Sequence, residues 1–72
     1  MLCRLKEKRR ERGLSQVQLA RALGVRIATI SDIENGKQVP YVDLALQIAA
    51  QCGCLVEDIW ILHDQKPTSE AR

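Results

Sequence analysis

Residues 15–37 read Ser15-Gln16-Val17-Gln18-Leu19-Ala20-Arg21-Ala22-Leu23-Gly24-Val25-Arg26-Ile27-Ala28-Thr29-Ile30-Ser31-Asp32-Ile33-Glu34-Asn35-Gly36-Lys37. A Ser followed three residues later by Gln predicts a helix starting at Ser15, because each side chain can satisfy the other's backbone amide. Leu19, Ala20 and Leu23 then share one buried face at helical spacing. Gly24 permits a tight turn. A second short helix is expected from about Arg26 to Asn35, burying Ile30 and Ile33, and Gly36 supplies the backbone freedom to leave it. Ala20 has to be small, since the second helix of the pair crosses close to it.

Outward from this pair the pattern stays helical. Residues 2–12 predict a helix with Leu2, Leu5 and Arg9 on one face, closed by Gly13. On the other side, Lys37 to Pro40 form a loop, with Pro40 well placed ahead of a helix over about 41–52. That helix is expected to bury Val42, Ala45, Ile48, Ala49 and Cys52, and Gly53 terminates it. A last helix over about 56–62 turns Val56 and Ile59 inward and carries Glu57 and Asp58 in its first turn, where acids suit the helix dipole. Residues 64–72 are polar, contain Pro67, and read as a flexible tail behind a domain spanning 1–63.

Seventy-two residues hold one small core and no second one. Phe is absent and Trp60 and Tyr41 are the only aromatics, so Leu, Ile, Val and Ala must fill that core. So short a chain has little spare stability, and dimerisation would be a natural reinforcement. The formal net charge of +2 hides an asymmetry. Residues 1–37 hold nine Lys or Arg against four acids, whereas residues 38–72 hold two against five. A basic half suits a phosphate-facing side, although a solvated helix face can look the same. The stretch from Arg4 to Arg12 is too charged for a signal peptide, and no run is long and apolar enough to span a membrane. A cytoplasmic protein is expected, with its three cysteines as reduced thiols rather than a disulfide framework.

Leu14-Ser15-Gln16, Leu19-Ala20, Gly24-Val25, Thr29-Ile30-Ser31 and Ile33-Glu34-Asn35-Gly36-Lys37 stand where the Cro and phage-repressor family of helix-turn-helix proteins, the XRE type, places such residues. From about Leu5 to Trp60 the chain resembles that family. The resemblance implies a compact all-α, five-helix lambda-repressor-like domain with its helix-turn-helix at the second and third helices. It also implies double-stranded DNA as partner, the third helix lying in the major groove.

By the same resemblance, Gln16, Asn35 and Lys37 would contact the DNA backbone. The start of the second helix adds free amides and partial positive charge. Asn35-Gly36 also serves plain helix-capping chemistry. Base readout would fall on Arg26, Ile27, Ala28, Thr29 and Asp32. Here the chain departs from its relatives, which often carry Ser or Thr at the cap taken by Arg26 and a polar reader near Ile27 and Ala28. Arg26 could pair with guanine or reach a phosphate, while Ile27, Ala28 and the Thr29 methyl could meet thymine methyls. Asp32 could accept from a cytosine amine.

The family commonly ties its first helix to the end of its third with an Arg–Glu ion pair, and Arg9 and Glu34 occupy matching positions. Its last helix often makes the dimer contact. Here Leu55, Trp60, Ile61 and Leu62 form the expected homodimer interface, with Leu44 and Leu46 as neighbours. Cys3, Cys52, Cys54 and His63 lack the spacing of usual zinc motifs, and Cys52 and Cys54 fall at apolar core positions. No nucleophile–base pair or phosphate loop is present, so an enzyme is not expected, nor a metal, cofactor or small-molecule effector. A homodimeric repressor is the favoured expectation. Its rival is a protein-interaction subunit, antitoxin-like or phage-accessory, whose apolar C-terminal end binds another protein.

Overall fold

The computed structural model describes residues 1–62, as five helices and a two-stranded sheet. In chain order these are β1 (Leu2–Cys3), α1 (Leu5–Glu11), α2 (Gln16–Leu23), α3 (Ile27–Glu34), α4 (Val42–Cys52), α5 (Val56–Ile59) and β2 (Trp60–Ile61). The expected tail at 64–72, and His63, lie outside the described residues.

Leu5, Leu19, Ile30, Ile33, Ile48 and Ile59 are fully buried, so every helix sends at least one aliphatic side chain to a common core. Ala20, Leu44, Ala49 and Cys52 complete it, and Leu14, Leu23, Val25, Val56 and Trp60 pack against its edge. At Gly24 the chain turns through φ +72°, and the Gly24 and Val25 N–H groups both donate back to the Ala20 carbonyl. An L side chain adopts that backbone only with strain, so glycine closes α2.

The two ends of the fold depart from the helical reading. Leu2 and Cys3 are not the first turn of a helix. They pair antiparallel with β2, Leu2 opposite Ile61 and Cys3 opposite Trp60. The Arg4 N–H donates to the Ile59 carbonyl at 2.7 Å, and α1 starts only at Leu5. The last helix stops at Ile59, because Trp60 turns to an extended backbone (φ −107°, ψ 110°). Ile59, Trp60 and Ile61 favour strands, and a partner strand stands beside them. Pairing two short ends overrides the weak helix preference of each.

The buried stripe of α4 is also rotated from the expected one. Leu44 is buried, whereas Val42 is 71% exposed and Ala45 is only partly covered. Positions 44, 48 and 52 follow the i, i+4 spacing, and Leu44 places more apolar surface in the core than Val42 could from the first turn. Leu44 therefore belongs to the core and not beside an expected dimer interface.

Candidate nucleic-acid interface

The start of α2 is built by its cap. Ser15 Oγ accepts from the Gln18 N–H at 3.0 Å, and the Ser15 N–H donates to Gln18 Oε1 at 2.8 Å. Gln16 is thereby fixed as the first residue of the helix. Its side chain does not simply point to solvent: Gln16 Nε2 donates to Glu34 Oε1 at 3.0 Å, from the first turn of α2 to the last turn of α3.

Glu34 is the hub of a buried polar cluster, its side chain 1% exposed. Arg9 Nε donates to Glu34 Oε2 at 2.6 Å, and Arg9 Nη2 to Oε1 at 3.4 Å. Arg9 Nη1 donates to the Leu14 carbonyl at 2.7 Å. One guanidinium, on a residue 7% exposed, thus fastens α1, the loop after it and α3. Charge-assisted bonds of this kind fix geometry as well as adding energy. The parts played by the Leu14 carbonyl and Gln16 carry no mark in the sequence, since the first depends on how the loop after α1 folds back to Arg9 and the second on where α3 ends.

Beyond this cluster α3 presents its first turn to solvent. Arg26 caps it in an extended conformation (φ −78°, ψ 151°) with no side-chain hydrogen bond to the helix. Arg26, Ile27 and Ala28 are exposed, and Thr29 and Asp32 are half-buried. Ile27 is 45% exposed, although Ile30 and Ile33 on the same helix are sealed. At the other end, Asn35 and Lys37 are both exposed. The Lys37 and Gln38 N–H groups donate to the Asp32 carbonyl at 2.8 and 3.3 Å, which pins the loop to α3. The Gln16–Glu34 bond brings Gln16 beside the segment holding Asn35 and Lys37. The helix-turn-helix family matches residues 5–59, which takes in all of this cluster.

The chain belongs to that family, in its Cro and phage-repressor type. An uncharacterised HTH-type transcriptional regulator of Archaeoglobus fulgidus is 38% identical over 66 residues, covering 92% of this chain and 94% of the relative. Another, from Methanocaldococcus jannaschii, is 43% identical over 63 residues, covering 88% and 96%. The ImmF control region 10 kDa protein of Bacillus phage phi105 is 42% identical over 45 residues, covering 62% of this chain and 50% of its own length.

The residues expected at the dimer contact lie at and after α5, where Trp60 lines a hollow with Ile33, Gly36 and Gln38 beside the end of α3. Leu55 is 63% exposed at the cap of α5, where its N–H donates to Asp58 Oδ2 at 3.0 Å. Leu62 is exposed, while Trp60 and Ile61 are half-buried and lie on β2 rather than on a helix. Trp60 lines a groove of about 270 Å³ with Met1, Val39, Val42 and Leu46. The cysteines are free thiols, and Cys3 Sγ donates to the Ile33 carbonyl at 3.4 Å. Burial, the main cause, pushes all three thiols up from their ordinary range, which suppresses the reactive thiolate. Among the described residues no group of three or more His, Cys, Asp or Glu could hold a metal ion, and no helix is long and apolar enough to cross a membrane.

Proposed function

We propose that the chain is a double-stranded-DNA-binding transcriptional regulator, a homodimeric repressor that occupies promoter DNA with α3 in the major groove, within a domain over 1–63. The observation that carries this reading is the exposed first turn of α3, ending in Arg26, on a helix whose far end is clamped by Arg9, Gln16 and Glu34. A rigid clamp outside the readout surface is what a helix needs to hold register against base edges. Two relatives bear the name of transcriptional regulator, and a third is named for a phage control region.

Gln16, Asn35 and Lys37 then hold the DNA backbone. Gln16 gives one amide hydrogen to Glu34 and keeps the second for a phosphate. Arg26 reads guanine, Ile27, Ala28 and Thr29 meet thymine methyls, and Asp32 accepts from cytosine. Two copies join through Trp60 with Leu55, Ile61 and Leu62, the exposed Val42 and Leu46 extending the interface. A two-fold pair would set its recognition helices one DNA turn, roughly 34 Å, apart. A protein partner seated on the same apolar groove is the second reading, favoured by that groove alone.

Fluorescence anisotropy on duplexes selected from a random pool tests the assignment. The logarithm of affinity should fall linearly with the logarithm of salt concentration, as bound phosphates release their counterions. A chain that selects no duplex, or binds indifferently to salt, is not a DNA-binding regulator.

A further inference from the structure

On α1 the acids are matched and two cations are left over. Arg4 grips Glu7 through two hydrogen bonds of 2.8 Å, Lys8 lies 3.6 Å from Glu11, and Arg9 and Gln16 hold Glu34. Lys6 and Arg10 meet no acid among the described residues, and both are exposed. Four residues apart, they project from the same side of the helix. An open cleft of about 750 Å³ separates α1 from the end of α3, and Lys6 and Arg10 line it opposite Asn35. Glu7, Glu11 and Glu34 line it too, but each already has a cation of its own. The local field is therefore set by the two unpaired side chains.

We propose that Lys6 and Arg10 form a second phosphate-binding surface on α1, which takes the DNA backbone where it leaves the segment gripped by Asn35 and Lys37. The proposal rests on the DNA-binding reading above and extends its footprint beyond the helix-turn-helix to a helix that touches no base. Asn35 is the shared edge: it belongs to the α3 end and to the cleft. Lys6 and Arg10 act as charges on flexible stems, so they strengthen binding without selecting sequence.

The test is a salt titration of duplex binding by wild type, the double variant Lys6→Ala/Arg10→Ala, and the charge-neutral control Lys8→Ala/Glu11→Ala. Alanine suits an exposed helix position, so the double variant keeps the fold, which circular dichroism verifies. Every phosphate that is no longer neutralised should flatten the log–log salt slope by about 0.9, so the double variant drops close to two such steps. Preference among duplex sequences should not change, and Lys8→Ala/Glu11→Ala, which removes a matched pair, should leave the slope near wild type. On a duplex trimmed to the bases covered by the recognition helix, the double variant and wild type should bind alike. A double variant with the wild-type slope on long duplexes overturns the α1 surface and leaves the regulator reading standing. A wild type that binds no duplex overturns both.

Discussion

Gln16 Nε2 stands 3.0 Å from Glu34 Oε1, so the amide assigned to a DNA phosphate is oriented by the same carboxylate that anchors Arg9. In the proposed DNA complex, the backbone grip and the position of α3 would therefore both be set by one cluster. A change at Glu34 would disturb both.

Removing Glu34 alone strands the Arg9 guanidinium, on a residue only 7% exposed. Glu34→Ala should cost about 3–5 kcal/mol, the range for breaking a buried pair. Arg9→Ala/Glu34→Ala should cost far less than the two single changes added together, because no lone charge stays buried. Urea unfolding of the four proteins of this cycle measures the coupling. Small, additive effects would mean that the pair contributes no more than a surface ion pair.

Arg26 and Lys37 are both exposed but should fail in different ways. Lys37→Ala should weaken binding to all duplexes by a similar factor. Arg26→Ala should relax preference at one base position, at a cost of about 1–3 kcal/mol for the favoured base. Parallel selections with the two variants separate these outcomes. A uniform weakening for Arg26→Ala would move Arg26 to the backbone-binding set.

Trp60→Ala should shift the sedimentation equilibrium from dimer toward monomer at micromolar concentration. A central aromatic at an interface is typically worth about 2 kcal/mol or more, roughly a thirtyfold change in dissociation constant. Leu46→Ala, on the same groove, should act in the same direction and more weakly. A wild-type monomer would favour the partner-protein reading.

The thiols give a prediction about pH. Burial raises the folded-state values of Cys3, Cys52 and Cys54, so the stability linked to them is complete below the unfolded thiol value of about 8.5. It declines as pH rises beyond that and passes through the folded values. Iodoacetamide should label the native protein slowly near neutral pH, Cys52 slowest of the three, and quickly once urea unfolds it. Equal rates for folded and unfolded protein would refute the shielding.

Gly53 closes α4 at φ +68°, and a Cβ placed there would collide with the Arg12 guanidinium. Gly53→Ala should cost about 1–2 kcal/mol from the left-handed backbone alone. For a domain of this size each 1 kcal/mol corresponds to about 4–8 °C in melting temperature. Thermal melts of Gly53→Ala, with and without Arg12→Ala, divide the cost between backbone strain and displacement of Arg12.

The centre of the fold is readable in the sequence because its signals are local. Ser15 and Gln18 sit three residues apart, and Gly24 marks its own turn. The ends are not, since whether Trp60 and Ile61 continue a helix depends on Leu2 and Cys3 lying beside them. The choice between Val42 and Leu44 turns on a rotation of α4 that its neighbours impose. On the site, the spacing of Lys6 and Arg10 is visible in the sequence, but their lack of acid partners emerges only once Glu7 and Glu11 have chosen theirs.

Leu2 faces Ile61 across the strand pair, with almost the whole described chain between them. The helices can begin to form from neighbouring residues, but this pairing must wait until both ends are brought together, and the entropy of closing so long a loop falls on it. It is therefore expected to close late in folding and to open first when the protein breathes. The amides that β1 and β2 protect should exchange with solvent ahead of those inside α2 and α4. The groove beside Trp60 would come and go with that same opening, which links its occupancy to the rate at which the molecule's two ends meet.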